Sequence, residues 1–523
     1  MNLSRLLHSP LVRRLAAVAP FLALVLPHLF FTPIYDGEVY GQCLFDATRH
    51  GFDLWALNCA SHPSMGYMSL LALAFKLGGG RSWPLILVNA ALGVAAIVAF
   101  LALLDRLYPE RPSWERLLAA ACLGAVPPFA ASALNIGIDY GALVFFVLLL
   151  LALVRERRLE VIVAGLFLAF SKEPGIFLFC LAVAAYLLAF TLRRPLDAQE
   201  KRRRVLAWLP TIVVPLGFVG YLGARALTRQ NLMWSGRHVN LLKDFLTFQG
   251  LDPTFASFLA TTFVINFAWV LSLVVLVGVV RWVIRAGLGK PHPEPRARAE
   301  LVGALLVVST WALTRHRTYV NVRYFLPLFP LLVWAAFHVA GSFDRRVRAG
   351  LFALVLALFV ISAERTVDPV AKLLYGTFPF GSHPVLKITS MTGECCGYGR
   401  DQLVYNLEFT HLDTLLDDAL ADLRPSPQAP IALAQRAHWY ELNAVMPGPP
   451  PYRSLPRAGA QAVPEVDAAM VHRIAPPTLY WLDFPNVDGD AELKDLEGSY
   501  RPIEVRTYHD GGYAMRAVVM TRR

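Results

Sequence analysis

Long apolar segments alternate with short polar stretches through the first 363 residues of this 523-residue chain. There are eleven such segments, at residues 14–31, 83–104, 117–133, 140–154, 160–171, 175–192, 205–226, 257–280, 299–313, 324–342 and 349–363. Most approach the roughly 20 residues that a helix needs to cross a bilayer. The pattern therefore predicts an all-α polytopic membrane body with about 11 transmembrane helices.

The pattern changes after residue 363. Residues 401–423 show the leucine spacing of an amphipathic helix, and residues 431–434 and 478–484 have the composition of short strands. Residues 503–508 and 513–520 flank Asp510, Gly511 and Gly512, which is typical of a hairpin. We expect two domains, a membrane body over residues 1–363 and a small α/β domain over residues 364–523.

Lysine and arginine are divided unevenly between the two sides of this body. With the N-terminus placed in the cytoplasm, the inner loops carry 23 basic residues and the outer loops carry 11, leaving out residues after 363. Cytoplasmic loops are enriched in Lys and Arg, so the N-terminus is expected inside and the C-terminal domain outside. We expect a multi-pass protein of the cell membrane, of the bacterial inner-membrane type.

Composition supports a membrane protein. Hydrophobic residues make up 56% of the chain and charged residues 17%, which excludes an ordinary soluble globular protein. The net charge of +11 comes from the membrane body, which contains 34 basic and 18 acidic residues. Topology and anionic membrane lipids account for this excess, and no nucleic-acid partner is expected.

Two features stand out around the first outer loop, residues 32–66. Cys43 and Cys59 both lie in it, where an oxidising milieu permits a disulfide bond. The apolar stretch at residues 65–77 is short for a bilayer crossing, so we expect a helix lying at the outer surface.

Carboxylates gather in the outer loops. Asp36 and Glu38 directly follow the first apolar segment, and Asp139 opens the fourth. Partial desolvation at the membrane boundary raises the pKa of a carboxyl group and suits it to act as a base. For the first loop, a solvated acidic surface without catalytic function is an equally good interpretation.

Cations on the same side require anionic partners. Lys172 and Glu173 interrupt an apolar stretch at the membrane edge, where ionisable groups are costly and often functional. Neutralising partners within the helix bundle are the alternative. Arg315, Arg317 and Arg323 lie on the side that otherwise avoids them. Because the guanidinium group suits phosphate oxygens, we expect lipid headgroups or a bound phosphate as their partner.

Taken together, these features resemble the GT-C superfamily of membrane glycosyltransferases, especially the protein mannosyltransferase and aminoarabinose transferase types. The matching features in chain order are Asp36 and Glu38, His62-Pro63, the stretch from Leu70 to Gly78, Asp139, Ser171-Lys172-Glu173, and Arg323-Tyr324 with the run to Pro330. Their order and sidedness carry the resemblance. The chain departs from many relatives because Gly37 separates the usually adjacent acids, which leaves the role of Glu38 open.

The resemblance implies sugar transfer from a polyprenyl-phosphate donor to an extracytoplasmic glycan, lipid or protein acceptor, usually with inversion at the anomeric carbon. Asp36 would then match the catalytic base and Asp139 a second acid, while Lys172 and Arg323 would bind the donor phosphate. The further catalytic or substrate-binding candidates are Glu38, His62, Glu173, Arg315, Arg317 and Tyr324. Nearby Lys or Arg, or a divalent cation such as Mg²⁺ or Mn²⁺, would stabilise the leaving phosphate.

Two other functions compete with this interpretation. A transporter or flippase of a lipid-linked sugar also needs cations between helices, but the sequence shows no inverted repeat or paired broken helices of the kind that transporters contain. A polysaccharide polymerase or ligase would use similar side chains on a diphosphate-linked donor.

Overall fold

The protein is described from a computed structural model. It describes residues 9–31, 33, 36–48, 51–59, 62–79, 82–192, 196–227, 259, 262–264, 268–288, 296–315, 322–364, 379–380, 383–384, 407–433, 453–455, 463–466, 468–483, 490–510 and 513–523. Within these ranges a helical body is followed by a six-stranded sheet with flanking helices.

Fifteen described helices form the body. They are α1 (Pro10–Val25), α2 (Asp36–Thr48), α3 (Met65–Leu77), α4 (Trp83–Leu107), α5 (Ser113–Gly124), α6 (Pro127–Leu134), α7 (Ile138–Val154), α8 (Arg158–Ala169), α9 (Pro174–Leu187), α10 (Ala198–Ala207), α11 (Val213–Leu227), α12 (Ala268–Gly287), α13 (Arg296–Arg315), α14 (Leu328–Ala340) and α15 (Arg345–Ile361). Each of the eleven apolar segments overlaps at least one of them, as the hydrophobic pattern predicts.

Fewer of these helices are long enough to cross a membrane. In the described parts of the chain, five candidate spans are sufficiently long and apolar, and up to seven if each of two bent helix pairs counts as one span. The five are Pro10–His28, Trp83–Leu107, Pro174–Leu192, Ala268–Arg285 and Ala297–Thr314. The protein therefore has the architecture of a multi-pass membrane protein, but the predicted count of 11 transmembrane helices is not confirmed.

Proline accounts for both bent pairs. Helices α5 and α6 meet at 50°, with Pro127 and Pro128 at the start of α6. Helix α10 and the segment Leu209–Arg225 meet at 40°, with Pro210 at the break. Proline lacks an amide hydrogen and its ring clashes with the preceding turn, so an apolar segment that contains it bends or divides.

Charged side chains from distant loops meet at one end of the body. Asp105 accepts hydrogen bonds from Arg13 at 2.7 Å and from Arg116 at 2.6 Å. Glu115 pairs with Arg348 through two contacts of 2.9 and 3.0 Å. The charge count assigns all of these loops to a single side, and the structure brings them together on one face.

The C-terminal residues form a mixed sheet. Its strands are β3 (Ile431–Leu433), β4 (Arg453–Leu455), β5 (Val463–Glu465), β6 (Thr478–Asp483), β7 (Tyr500–Asp510) and β8 (Tyr513–Arg522), in the order β4-β5-β3-β6-β8-β7, after a two-stranded pair of β1 (Pro379–Phe380) and β2 (His383–Pro384). Strand β3 is parallel to β5 and β6, and the other pairs are antiparallel. The predicted strands and the predicted hairpin are confirmed, while Gly511 and Gly512 lie outside the described residues.

Three described helices belong to the sheet region, and the turn before the first of them contacts the body. They are α16 (His411–Leu423), α17 (Ala468–Ile474) and α18 (Asp490–Glu497). Leu415, Leu416 and Ala419 of α16 are fully buried against β7 and β8. The preceding turn, Leu407–Thr410, packs against α6 and against the last turn of the body, Ser362–Glu364. The sheet region therefore touches the helix that leads into Asp139.

Candidate active site

Three buried ionisable side chains meet at the N-terminal ends of α7 and α9. Lys172 Nζ donates to Asp139 Oδ1 at 2.7 Å, and Arg323 Nε lies 3.8 Å from Asp139 Oδ2. Only 7% of the Asp139 side chain is exposed, with 11% for Lys172 and 9% for Arg323. Charged groups are buried only when they are paired, so one carboxylate holds two cations here.

An aromatic ring completes this cluster. Tyr324 lies in the short 3₁₀ turn Val322–Phe325, which also carries Arg323. Lys172 Nζ lies 3.9 Å from the centre of the Tyr324 ring, and the Arg323 guanidinium carbon lies 5.3 Å from it. The negative face of an aromatic ring attracts cations, so Tyr324 helps to hold both in place.

His62 and Glu173 form a second pair beside the cluster. His62 Nδ1 lies 2.9 and 3.0 Å from the two carboxylate oxygens of Glu173. Burial acts to raise the pKa of Glu173, but His62 and the adjacent Lys172 outweigh it and hold that pKa below its ordinary value. Glu173 is therefore ionised at neutral pH and is a poor candidate for a general acid.

The pKa of Lys172 is also lowered, which for an ammonium group favours the neutral form. Burial lowers the pKa of its ammonium group, and the nearby Arg323 acts in the same direction, while Asp139 and Glu173 only partly compensate. A cation that is desolvated next to another cation gains more from an arriving anion than an exposed lysine would.

Hydrogen bonds of the main chain place these residues. The Lys172 carbonyl accepts from the amide of Gly175 at 2.8 Å, which turns the chain sharply between α8 and α9. The amide of Gly66, in the first turn of α3, donates to the Phe170 carbonyl at 2.7 Å. The first outer loop is thus tied directly to the segment that carries Lys172 and Glu173.

The first outer loop is also closed by a disulfide bond. Cys43 and Cys59 are bonded, with 5.6 Å between their Cα atoms, so the disulfide that the sequence left open is present. Ser64 Oγ donates to the Leu57 carbonyl at 2.8 Å and accepts from the Cys59 amide at 3.0 Å. These bonds hold the loop in a compact form immediately before α3.

The structure describes only part of the predicted acidic site. Helix α2 begins at Asp36, but the side chains of Asp36, Glu38 and Arg315, and all of Arg317, lie outside the described residues. The backbone at Gly37 is described, and an ideal Cβ built there would lie 2.6 Å from the Asn135 carbonyl oxygen. The start of α2 therefore abuts the turn that precedes Asp139.

Asn89 is a structurally important residue that the hydrophobic pattern does not reveal. It is fully buried within α4 and accepts from the Tyr67 hydroxyl at 2.7 Å, while its amide donates to the Ala133 carbonyl at 2.8 Å. The Tyr140 hydroxyl donates to the Asn89 carbonyl at 2.6 Å. Asn89 thus links α3, α4, α6 and α7, and Tyr140 is the neighbour of Asp139.

Replacing Asn89 with alanine is expected to lower the free energy of unfolding by about 2 kcal/mol, because the Tyr67 hydroxyl and the Ala133 carbonyl lose a buried partner. Unfolding of the purified protein in detergent micelles measures this loss. Asn58→Ala is the matched control, since Asn58 accepts one hydrogen bond from Tyr221 at 2.9 Å in a less buried place. Equal destabilisation by the two variants would contradict a special role for Asn89.

No metal site is apparent among the residues that the structure describes: none of them form a group of three or more His, Cys, Asp or Glu side chains that could hold an ion. Asp139 faces Lys172 with one oxygen and Arg323 with the other. A carboxylate that already faces two cations is a poor ligand for a third. The described residues therefore do not fit the Mg²⁺ or Mn²⁺ considered above, and no step is assigned to either ion.

Comparison with known proteins identifies the fold. No protein-family model matches the chain, and no curated protein is similar to it in sequence. Among solved structures, ArnT from Cupriavidus metallidurans bound to undecaprenyl phosphate matches with a TM-score of 0.52 and 13% identity, over 97% of this chain and 98% of that one. The same protein in the apo state matches with a TM-score of 0.50 and 14% identity, over 96% and 97%.

At this level of identity the likeness shows the fold alone. The match extends over nearly the full length of both chains, so it includes the helical body and the sheet region. The chain therefore has the fold of ArnT, which is a fold that the resemblance drawn from the sequence implies.

Proposed function

We propose that this chain, whose fold is that of the GT-C membrane glycosyltransferases, transfers a sugar from a polyprenyl-phosphate donor to an acceptor on the non-cytoplasmic face. The proposal is supported by the structural neighbour that holds undecaprenyl phosphate. It is carried by the cluster of Asp139, Lys172 and Arg323, which has the charge and position for a lipid phosphate.

The charge of this cluster suits such a donor. Among the described side chains of this cluster, two cations face one carboxylate, so positive charge exceeds negative charge there. A sugar joined to a lipid by one phosphate is a phosphodiester with a single negative charge, whereas a diphosphate-linked donor carries two. Helices α7 and α9 begin at Ile138 and Pro174 beside these side chains, and the positive ends of their dipoles also favour an anion.

Transfer requires one bond to form and one to break at the anomeric carbon. Asp36 would accept the proton of the acceptor hydroxyl as its oxygen attacks that carbon. The bond from that carbon to the phosphate oxygen breaks as the new bond forms, and its electron pair leaves with the phosphate oxygen. Lys172 and Arg323 would stabilise the charge that develops on the departing lipid phosphate, so that no general acid is needed.

Other residues receive supporting roles in this proposal. Asp139 would hold the two cations and face the acceptor as the second acid, and the His62–Glu173 pair would line the donor site. Glu38, Arg315 and Arg317 are the remaining candidates.

The C-terminal domain, residues 364–523, would lie outside the membrane and cover the acceptor side of the site. Its described turn Leu407–Thr410 packs against α6, which continues through a short turn into α7 and Asp139. A glycan, lipid or protein acceptor that approaches from outside would therefore meet this domain next to the cluster.

The proposed function is tested by measuring the transfer of sugar from labelled donors. The purified protein in liposomes would be incubated with a panel of radiolabelled polyprenyl-phosphate sugars and with cell-envelope membranes as the acceptor source. A transferase moves the label to an acceptor and releases polyprenyl phosphate. Movement of an intact donor across the bilayer would identify a flippase, and reaction with diphosphate-linked sugars alone would identify a polymerase or ligase.

Donor binding should weaken as the pH rises through the lowered pKa of Lys172, because only the ammonium form attracts phosphate. Since burial lowers that pKa, the loss of donor binding should begin at a lower pH than it would if the lysine were exposed. Lys172→Arg keeps its charge throughout this range and should move the loss to higher pH. Donor Kd measured between about pH 7 and 10 checks this, and identical profiles for the two proteins would contradict it.

A further inference from the structure

A close contact between Gly37 and Asn135 joins the two parts of the proposed site. An ideal Cβ on Gly37 would lie 2.5 Å from Asn135 Oδ1, 2.6 Å from the Asn135 carbonyl oxygen and 2.9 Å from the Cβ of Pro33. Real Cβ atoms essentially never come so close to other heavy atoms. The carbonyl oxygen belongs to the main chain and cannot rotate away, so position 37 accepts only glycine in this arrangement.

Asn135 lies in a constrained turn between α6 and α7. Its side chain is buried, and its main-chain N–H donates to the Ala131 carbonyl at 3.2 Å. The next residue, Ile136, has a φ of +43°, a left-handed conformation that a β-branched residue rarely adopts. Such a conformation persists where the surrounding structure requires it, and such places are often functional sites.

The same turn connects this contact to the cations. Gly137 precedes the first turn of α7, where Asp139 bonds Lys172 at 2.7 Å. Asp139, which holds Lys172, therefore lies only four positions after Asn135, which touches α2. Helix α2 begins at Asp36, one residue before the contact.

We infer that Gly37 and Asn135 are positioning residues that set the distance between the acidic start of α2 and the cluster of Asp139, Lys172 and Arg323. The inference rests on the proposed function, in which a base from α2 acts on an acceptor beside a phosphate held by that cluster. It also explains why glycine separates Asp36 from Glu38. A side chain at position 37 would push the first turn of α2 away from Asn135 and move the base from its target.

The Gly37→Ala variant should lower kcat for sugar transfer by about 10- to 100-fold, because a displacement of about 1 Å at a reacting group has an effect of this size. The Kd of a polyprenyl-phosphate sugar should change by less than about 3-fold, since Lys172 and Arg323 are untouched. Gly220→Ala in α11 is the matched control, because nothing lies within 4 Å of an added Cβ there. It should change neither quantity.

A double-mutant cycle tests the contact without relying on transfer. Asn135→Ala removes the Oδ1 atom but leaves the carbonyl oxygen, so the double variant with Gly37→Ala should lose less melting temperature than the sum of the two single losses. Melting is measured on the full-length protein in detergent micelles. Additive losses in the two single variants and the double variant would overturn the contact.

The outcomes separate this inference from the proposed function. If the wild-type protein transfers no sugar, the proposed function fails, and the melting cycle still decides whether the contact exists. If the wild type is active and Gly37→Ala is equally active, the positioning role is overturned and the proposed function stands. A loss of donor binding in Gly37→Ala as large as its loss of kcat would also overturn a positioning role.

Discussion

Replacing Asp36 with asparagine is expected to slow sugar transfer by about 10³-fold while the protein remains folded and inserted. Asparagine keeps the shape of the aspartate side chain but cannot accept the proton of an acceptor hydroxyl. Donor binding should be nearly unchanged, because the phosphate is assigned to Lys172 and Arg323 on other segments. The measurement is kcat at saturating donor, together with the melting temperature in detergent.

Two further variants make this experiment specific. Asp46→Asn is the matched control, since Asp46 lies exposed in the same helix, α2, and should leave transfer unchanged. Glu38→Gln decides whether the second acid of the Asp-Gly-Glu sequence shares the role. Full activity of Asp36→Asn would remove Asp36 as the base, and a large loss in Asp46→Asn would show that the helix is sensitive to any change of charge.

Removing either cation of the cluster is expected to raise the Kd of the donor by roughly 10- to 100-fold, which corresponds to one charge-assisted hydrogen bond to phosphate. Lys172→Ala and Arg323→Ala should both show this effect, while the KM for the acceptor changes much less. Binding is measured with a radiolabelled polyprenyl-phosphate sugar on the purified protein.

Loss of a cation also leaves Asp139 buried with fewer partners, so the melting temperature must be followed alongside Kd. Lys76→Ala is the control for an exposed charge, since Lys76 lies at the end of α3 and its ammonium group donates to the Gly51 carbonyl at 3.4 Å. Arg323→Lys keeps the charge and should lose less affinity than Arg323→Ala. An unchanged donor Kd in both alanine variants would mean that the two cations are structural.

Hydrophobic patterning predicted where the helices lie, but not which of them cross the membrane. Each apolar segment contains a helix because a buried backbone must satisfy its own hydrogen bonds. Several helices are nevertheless short or bent, such as α6, which has 8 residues, and α14, which has 13. Sequence length alone could not separate one bent span from two short helices, because that distinction depends on the packing around Pro127 and Pro210.

The candidate side chains could also be predicted from the sequence, but their partners could not. Charged residues at the membrane edge stand out in an apolar chain, which is why Asp139, Lys172 and Arg323 were recognisable. Nothing in their spacing of 33 and 151 positions shows that they touch. The role of Asn89 cannot be predicted from the sequence, because a single amide in a long apolar helix has little effect on local hydrophobicity. Its side-chain partners lie 22 and 44 residues away.

The amino-acid sequence by itself determined the helical membrane body, the strands of the C-terminal region and the grouping of charged loops, because each depends on the local pattern of apolar and polar residues. The tertiary structure alone decided that Asp139 holds two cations and that α2 approaches the turn at Asn135. The same is true of Gly37, whose missing side chain matters only because the carbonyl oxygen of Asn135, in the turn between α6 and α7, lies against it. Such contacts arise between segments distant along the chain, where the packing of several helices at once selects one arrangement.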